Sequence, residues 1–185
     1  MRQNFETVIY GKKVVLVPYR RIFVEKYHEW MKDPYLQEMT ASEPLSIEEE
    51  YEMQLSWRDD PKKCTFIVLG RKEETEGLPE DLLEVMAGDV NMFFNDRDDA
   101  TIAELEVMIA EESYRRKGLG REAVHLMMHY GATVLGVTKF YVKINQANDS
   151  SIELFKRYQR YVYSVIASHV LISFSLFLLV WALWK

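Results

Sequence analysis

Residues 103–120 read AELEVMIAEESYRRKGLG. The first part of this segment alternates acidic and apolar side chains, which predicts a strand over 102–110. A basic tripeptide and two glycines, Gly118 and Gly120, come next, and residues 119–135 carry apolar side chains at helical spacing. The segment therefore predicts a strand, a basic glycine turn and a helix, with the turn at the N-terminus of the helix.

The turn at residues 115–120 is suited to binding a phosphate group. Glycine lets the backbone curl tightly and lets a ligand approach closely. Amides at a helix N-terminus form a concave nest at the positive end of the helix dipole, where a pyrophosphate can bind. A short glycine pattern is a weak signal by itself, and a plain solvated turn is the alternative. A P-loop nucleotide site is disfavoured because no Lys-Ser or Lys-Thr pair follows the glycines.

The same criteria predict the remaining elements of the chain. Strands are expected at residues 11–18, 64–69, 85–94 and 139–144, and helices at 23–31, 46–60 and 148–160. Ser46 and Glu49 have the spacing of a capping box that opens the second helix. Strands that follow one another directly pair antiparallel, whereas a strand–helix–strand unit is a parallel crossover. The predicted class is α/β, with a mixed sheet flanked by helices.

Length and composition limit the classes of function. The chain has 185 residues, enough for one folded core, and a net charge of −6, which disfavours a nucleic-acid partner. Cys64 is the sole cysteine, which excludes an intrachain disulfide and a thiolate metal cluster. His125 and His129 have the spacing of helical metal ligands, but no glutamate completes an HExxH arrangement, so we expect no metal.

Several segments carry a family resemblance. Arg115-x-x-Gly118-x-Gly120, between a strand and a helix, resembles the acetyl-CoA motif R/Q-x-x-G-x-G/A of the GNAT acetyltransferase superfamily. Asn148-x-x-Ser151-Ile152-x-x-Phe155-x-Arg157 resembles the segment N-x-x-A-I-x-L-Y-x-K of the same family. The resemblance covers residues 5–158 and is closer still to the N-acetyltransferase 9-like group at residues 11–19, 40–45, 64–69 and 106–111.

This resemblance implies an enzyme that transfers an acetyl group from acetyl-CoA to an amine, without an acyl-enzyme. The pantetheine arm would lie between the splayed fourth and fifth strands, here 106–110 and 140–144. The acceptor implied is a protein or peptide amine, most simply a protein N-terminus in the cytoplasm, and tubulin is the association of the resembling group. The implied acetyl-CoA-binding residues are Val107, Met108, Ile109, Arg115, Arg116, Lys117, Gly118, Leu119, Gly120, Asn148, Ser151 and Phe155.

Two carboxylates are candidate catalytic residues. Glu104 matches the strand position of the general base in some family members, and strand alternation puts Glu106 on the same face. Two neighbouring carboxylates raise the pKa of one of them, which suits a base that works near neutral pH. The alternative is a pair of solvated carboxylates that only attract a cationic substrate. Phe155 stands where the family has a proton-donating tyrosine, so water would have to protonate the leaving thiolate, or activity is weaker.

The tail after residue 160 departs from the family, which continues with two further strands. Residues 162–184 contain no formally charged side chain and are long enough to span a bilayer as a helix. Basic residues just before this segment predict that the domain faces the cytosol, as in a tail-anchored protein. A strand hairpin is the alternative, disfavoured because the segment has no Gly, Pro, Asn or Asp for a turn.

The sequence therefore predicts a GNAT domain over residues 1–160 that lacks the last two strands, followed by an apolar helix over 161–185 with membrane contact through 162–184. A second hypothesis is a truncated, weakly active or inactive protein that binds CoA or acts through its anchor. A splice or gene-model variant would also explain the abrupt change in composition.

Overall fold

The computed structural model describes residues 1–71, 77–157, 162–166 and 169–175. The strands are β1 (Ile9–Tyr10), β2 (Val14–Pro18), β3 (Lys63–Gly70), β4 (Met86–Phe93), β5 (Ile102–Ile109), β6 (Lys139–Asn145), β7 (Val162–Ile166) and β8 (His169–Ser175). The α-helices are α1 (Val24–Trp30), α2 (Pro34–Thr40), α3 (Ile47–Asp59), α4 (Leu119–Thr133) and α5 (Asp149–Lys156). Within the described residues, eight strands form one sheet in the order β1-β2-β3-β4-β5-β6-β8-β7.

The mixed sheet that the sequence predicts is confirmed. Strands β2 to β5 pair antiparallel in chain order. Strand β6 lies parallel to β5, and α4 is the crossover between them. Because this crossover begins at the basic glycine turn, the turn follows the C-terminal end of β5, beyond the residues that pair with β6.

Local sequence signals account for the starts of α2 and α3. The capping box opens α3, since Ser46 Oγ accepts the amide N–H of Glu49 and the Glu49 carboxylate accepts the N–H of Ser46. Helix α2 lies between the predicted helices 23–31 and 46–60 and was not predicted. Asp33 caps α2 by accepting the amide N–H of Tyr35, and Pro34 occupies the first helical position, where its missing N–H costs nothing.

The sheet has an apolar core on each face. One core packs beneath α4 and α5 and includes Leu105, whereas the other packs beneath α1 to α3. Side chains alternate along β5, so Glu104 and Glu106 project to the α1–α3 face. This face carries the polar groups described below.

The predicted apolar helix over residues 162–184 and the predicted loss of the last two strands are wrong for the described part of the tail. Strands β7 and β8 pair antiparallel, and β8 pairs with β6 along its full length. Ile172 is completely buried in the core beneath α4 and α5. No helix among the described residues is long and apolar enough to cross a membrane.

The composition of the tail misled the prediction for a physical reason. A strand paired on both sides and buried is as uniformly apolar as a membrane helix, and Val, Ile, Tyr and Phe favour strands. Residues 158–161, where the domain boundary was predicted, and residues 167–168 and 176–185 lie outside the described residues.

Candidate active site

The two parallel strands separate partway along their length. They pair at Ile102 with Lys139, Ala103 with Phe140 and Glu104 with Tyr141, and no further pair joins them among the described residues. Beyond this point β5 keeps its pairing with β4 as far as Ile109, and β6 keeps its pairing with β8. The result is a gap between β5 and β6, the strand gap, whose backbone edge can bind an extended chain.

The basic turn, residues 115–120, lies at the open end of the strand gap. Arg116 has φ 58° and Gly118 has φ 89°, both left-handed conformations that curl the backbone of the turn tightly. Helix α4 begins at Leu119, within the last two residues of the turn, and Leu119 is buried. The turn therefore combines a concave backbone with the positive end of a helix dipole.

Arg115 differs from the other predicted phosphate-binding residues. Its guanidinium donates to the carbonyl of Ile109 through Nε and to that of Ala110 through Nη2, each at 2.9 Å. These bonds attach the basic turn to the end of β5. Arg116 and Lys117 are exposed, so their side chains remain available to a ligand.

Glu104 is buried and already has cationic and hydroxyl partners. Its Oε2 accepts a hydrogen bond from Lys143 Nζ at 2.7 Å and another from the Tyr141 hydroxyl at 3.0 Å. Burial, followed by the nearby Glu104 carboxylate, raises the pKa of Tyr141 to about 12. Glu104 therefore joins β5 to β6 at the last pair before the strand gap.

Glu106 is the first acidic residue beyond that last pair, opposite Asn91 on β4. It is exposed on the α1–α3 face, but surrounding protein atoms displace part of the water around its carboxylate, and this loss of hydration raises its pKa to about 7. The Glu104 carboxylate raises this pKa further, and the ammonium groups of Lys63 and Lys143 act in the opposite direction. A carboxylate of this pKa can exchange a proton at neutral pH.

A row of polar side chains continues from Glu106 across the sheet. We call Lys63, Thr65, Asp89 and Asn91 the polar row. The Asn91 amide donates to Asp89 at 2.7 Å, and the Thr65 hydroxyl donates to Asn91 at 2.6 Å. Burial raises the pKa of Asp89 to about 6 and lowers that of Lys63 to about 7. Lys63 Nζ lies over the Trp57 ring, 2.8 Å from its centroid.

The polar row was missed from the sequence. The available signal was the alternation of polar and apolar residues in β4, where Asp89 and Asn91 interrupt an apolar strand. Such a pattern predicts solvent on one face of a strand. The covering helices α1 and α3 bury this face instead, which only the tertiary structure reveals.

The remaining predicted residues lie along the strand gap or on α5. Val107 and Ile109 pack partly against the α4 side, and Met108 is buried on the other face. Asn148 caps α5 by accepting the N–H of Ser151, and Phe155 is buried in the core. These α5 residues are therefore engaged in capping and packing. No cluster of three or more potential metal ligands occurs in the part of the chain that the structure describes.

A mixed sheet that opens between two parallel strands, beside a basic turn at a helix N-terminus, is the arrangement expected of an N-acetyltransferase. The sequence profile of the acetyltransferase (GNAT) domain matches residues 13–159, and the chain belongs to this family. The family membership and the enzyme class predicted from the sequence are thereby confirmed.

Among curated proteins, human alpha/beta-tubulin-N-acetyltransferase 9 is 54% identical over 160 residues, which cover 85% of this chain and 76% of that protein. The mouse protein of the same name is 54% identical over 158 residues, which cover 85% of this chain and 65% of its own length. The chain thus spans slightly less than two thirds of the mouse relative.

A solved structure of spermidine N-acetyltransferase from Vibrio cholerae, in complex with CoA and spermine, has a TM-score of 0.72 to this chain. The alignment covers 92% of this chain and 99% of that one, at 14% sequence identity. This likeness shows the shared fold.

Proposed function

We propose that the protein transfers the acetyl group of acetyl-CoA to the α-amine of a protein N-terminus. The observation that carries this proposal is the position of Glu106, on the strand edge just beyond the point where β5 and β6 separate. A carboxylate there can accept a proton from an amine that approaches a donor lying in the strand gap.

The residues present fit acetyl-CoA as the donor. The backbone of Val107, Met108 and Ile109 borders the strand gap and can pair with the amides of an extended pantetheine arm. The amides of the basic turn, with the exposed Arg116 and Lys117, can bind the pyrophosphate. Acetyl-CoA supplies a thioester whose carbonyl carbon is open to attack by an amine.

The chain contributes proton transfer and electrostatics. Glu106 removes a proton from the ammonium form of the acceptor, so that the nitrogen can form the new C–N bond as the C–S bond breaks. Glu104, held by Lys143 and Tyr141, keeps a second carboxylate beside Glu106 and so favours its proton uptake. The nitrogen loses its second proton to water as the amide forms, and water protonates the departing thiolate, because Phe155 has no hydroxyl.

The pKa of Glu106 favours an α-amine over a lysine side chain. An α-ammonium has an ordinary pKa of about 8 and a lysine ammonium one of about 10.4. A base with a pKa of about 7 therefore accepts a proton from an α-ammonium at a much smaller free-energy cost. Tubulin, which appears in the names of the human and mouse relatives, is the protein acceptor we propose to examine first.

A cytoplasmic location is part of this proposal, since it suits a protein acceptor of that kind and a single unpaired cysteine. A membrane anchor is not part of it, because residues 162–166 and 169–175 lie in the sheet. Fractionation of the tagged full chain tests the location, and recovery with membranes would contradict it.

A second candidate is a domain that binds CoA without turnover. The observation that favours it is Phe155, buried where the family pattern has a tyrosine, so that this position supplies no proton donor. This candidate predicts binding of acetyl-CoA with no acetylated product.

The test of the proposed function is acetyl transfer by the purified full chain to a peptide library with free N-termini. We expect a single acetyl group at the α-amine, located by mass spectrometry, and none on the same peptides with blocked N-termini that still contain lysine. Acetylation of lysine alone would contradict the proposed acceptor. Coenzyme binding without any product would favour the second candidate.

A further inference from the structure

The turn between β1 and β2 is attached to the helix that begins at the basic turn. The Glu122 carboxylate of α4 accepts three backbone N–H groups, from Lys12 at 2.8 Å, Lys13 at 2.7 Å and Val14 at 3.1 Å. Gly11 permits this contact, because a Cβ atom there would lie 2.9 Å from Leu126 Cδ1. The turn is therefore fixed to α4 by backbone contacts.

Arg71 holds the same turn from the other side. Its amide N–H donates to the carbonyl of Lys13 at 2.7 Å, and its guanidinium donates to the carbonyl of Gly11 at 2.6 Å. The backbone N–H and C=O of Lys13 are thus both hydrogen-bonded. The Lys13 side chain extends from a backbone whose position is already determined, which lowers the entropy cost of a contact with a ligand.

The Lys13 ammonium reaches the basic turn. Its Nζ donates to the carbonyl of Lys117 at 2.9 Å and would lie 3.2 Å from a Cβ atom on Gly118. An ammonium has three donors, so two remain for other acceptors. Arg115, by contrast, uses its guanidinium to hold β5. Lys13 therefore brings a positioned cation to the basic turn from a distant part of the chain.

We propose that Lys13 is a phosphate-binding residue that contacts the pyrophosphate of the coenzyme. This inference rests on the proposed function, in which the basic turn binds that group. Its ammonium lies against Gly118, within the left-handed part of the turn, so it can contact an anion that binds to the turn amides. The nearby Glu122 carboxylate does not oppose this, because three N–H donors compensate its charge.

The experiment measures the affinity of the full chain for acetyl-CoA by titration calorimetry at low and high salt. We expect Lys13→Gln to weaken binding about tenfold at low salt, as for loss of a charged hydrogen bond. The difference should shrink at high salt, because ions screen an exposed cation–phosphate contact. Lys13→Arg should retain most of the affinity. Lys12→Gln is the matched control, since it removes the same charge from the adjacent position.

Three outcomes would overturn the inference. Equal losses in the Lys12 and Lys13 variants would indicate a diffuse charge effect, and a loss that salt does not change would indicate a structural role for the Lys13–Lys117 bond. If Lys13→Gln and the wild type bound 3′-dephospho-acetyl-CoA with equal affinity, Lys13 would contact the 3′-phosphate and not the pyrophosphate. Thermal melts without ligand show whether each variant is folded. If Lys13→Gln is destabilised, Lys13→Met is measured in its place. Failure of the wild-type chain to bind acetyl-CoA would instead refute the proposed function.

Discussion

Glu104 and Glu106 lie two positions apart on one strand, yet they have different surroundings. Glu104 is buried with two hydrogen-bond donors on its Oε2, whereas Glu106 is solvent-accessible and has a pKa near 7. The sequence motif favoured Glu104 as the base, and that assignment stays a prediction. The proposed function instead gives proton acceptance to Glu106 and positioning to Glu104.

Glu106→Gln should lower kcat roughly 100-fold at pH 7, with little change in affinity for acetyl-CoA. In the wild-type protein, kcat/KM should rise with pH through about 7, since Glu106 must lose its proton to act. In the variant this limb should be replaced by one near the pKa of the acceptor amine itself, about 8, so the loss should shrink at high pH, where the amine is already neutral. Steady-state kinetics from pH 5.5 to 9 measure both effects; wild-type rates in the variant would exclude Glu106 as the base.

Glu104→Gln is the matched control on the same strand and face. It removes a negative neighbour and leaves the Lys143 ammonium near Glu106, so the pKa of Glu106 should fall. We expect the acid limb of kcat/KM to move to lower pH, with activity at pH 8 within a few-fold of wild type. The opposite result, a 100-fold loss at every pH below 8, would return the role of base to Glu104.

The strand gap and the basic turn depend on backbone conformation more than on side chains. Gly118 adopts φ 89°, and Gly120 faces Ile109, whose Cγ1 would be 3.4 Å from an added Cβ. Position 118 requires a residue that adopts a left-handed backbone conformation. Position 120 has room for one methyl group at an ordinary contact distance. The two glycines of the motif are therefore not equivalent.

Gly118→Ala should lower the free energy of unfolding by about 1 kcal/mol and weaken acetyl-CoA binding, because alanine is strained at that φ. Gly120→Ala should retain both properties, and Gly120→Glu should abolish binding, because it adds bulk and negative charge beside the turn amides. Urea denaturation and calorimetry test the series. Equal behaviour of the two alanine variants would contradict this account.

The hairpin of β7 and β8 contributes to the core through Ile172. Ile172→Ala should lower the free energy of unfolding by roughly 2–5 kcal/mol, and Ile172→Val by roughly 0.5–1.5 kcal/mol, because a cavity replaces buried methyl groups. Urea denaturation of the purified full chain measures both values. No loss of stability in the alanine variant would show that the tail is not packed on the sheet.

The protein as a whole should respond to pH through its buried carboxyl groups. Glu50 is 2% exposed, its Oε2 has no hydrogen-bond partner among the described residues, and burial raises its pKa to about 7. Because the pKa of Glu50 is higher in the folded protein than in the unfolded chain, the folded protein is most stable below about pH 4, where Glu50 is protonated. This stability is lost as the pH rises toward 7 and the buried carboxyl group must ionise. Glu50→Gln should therefore be more stable than wild type at pH 8, by an amount on the order of 2 kcal/mol, and similar at pH 4. Thermal melts across this range decide the matter, and a variant less stable than wild type at pH 8 would contradict it.

The sequence predicts those features that depend on neighbours in the chain. The alternation in β5, the capping box of α3 and the glycine motif before α4 are all local, and each was found at the expected position. The burial of Asp89 and Lys63 depends on helices that pack from elsewhere, so the pKa shifts of these groups could not be inferred. The prediction for the tail failed for a related reason, since its apolar residues suit a paired strand as well as a lipid-exposed helix.

The hydrogen bonds from Lys143 and Tyr141 to Glu104 lie where the two parallel strands separate, so they fix the position at which the strand gap begins. That position limits how far an extended ligand can enter between β5 and β6. If the strands separated one residue earlier, such a ligand could advance by about 3.3 Å. That displacement exceeds the tolerance of a proton transfer, so these hydrogen bonds keep the acetyl donor aligned with the carboxylate base.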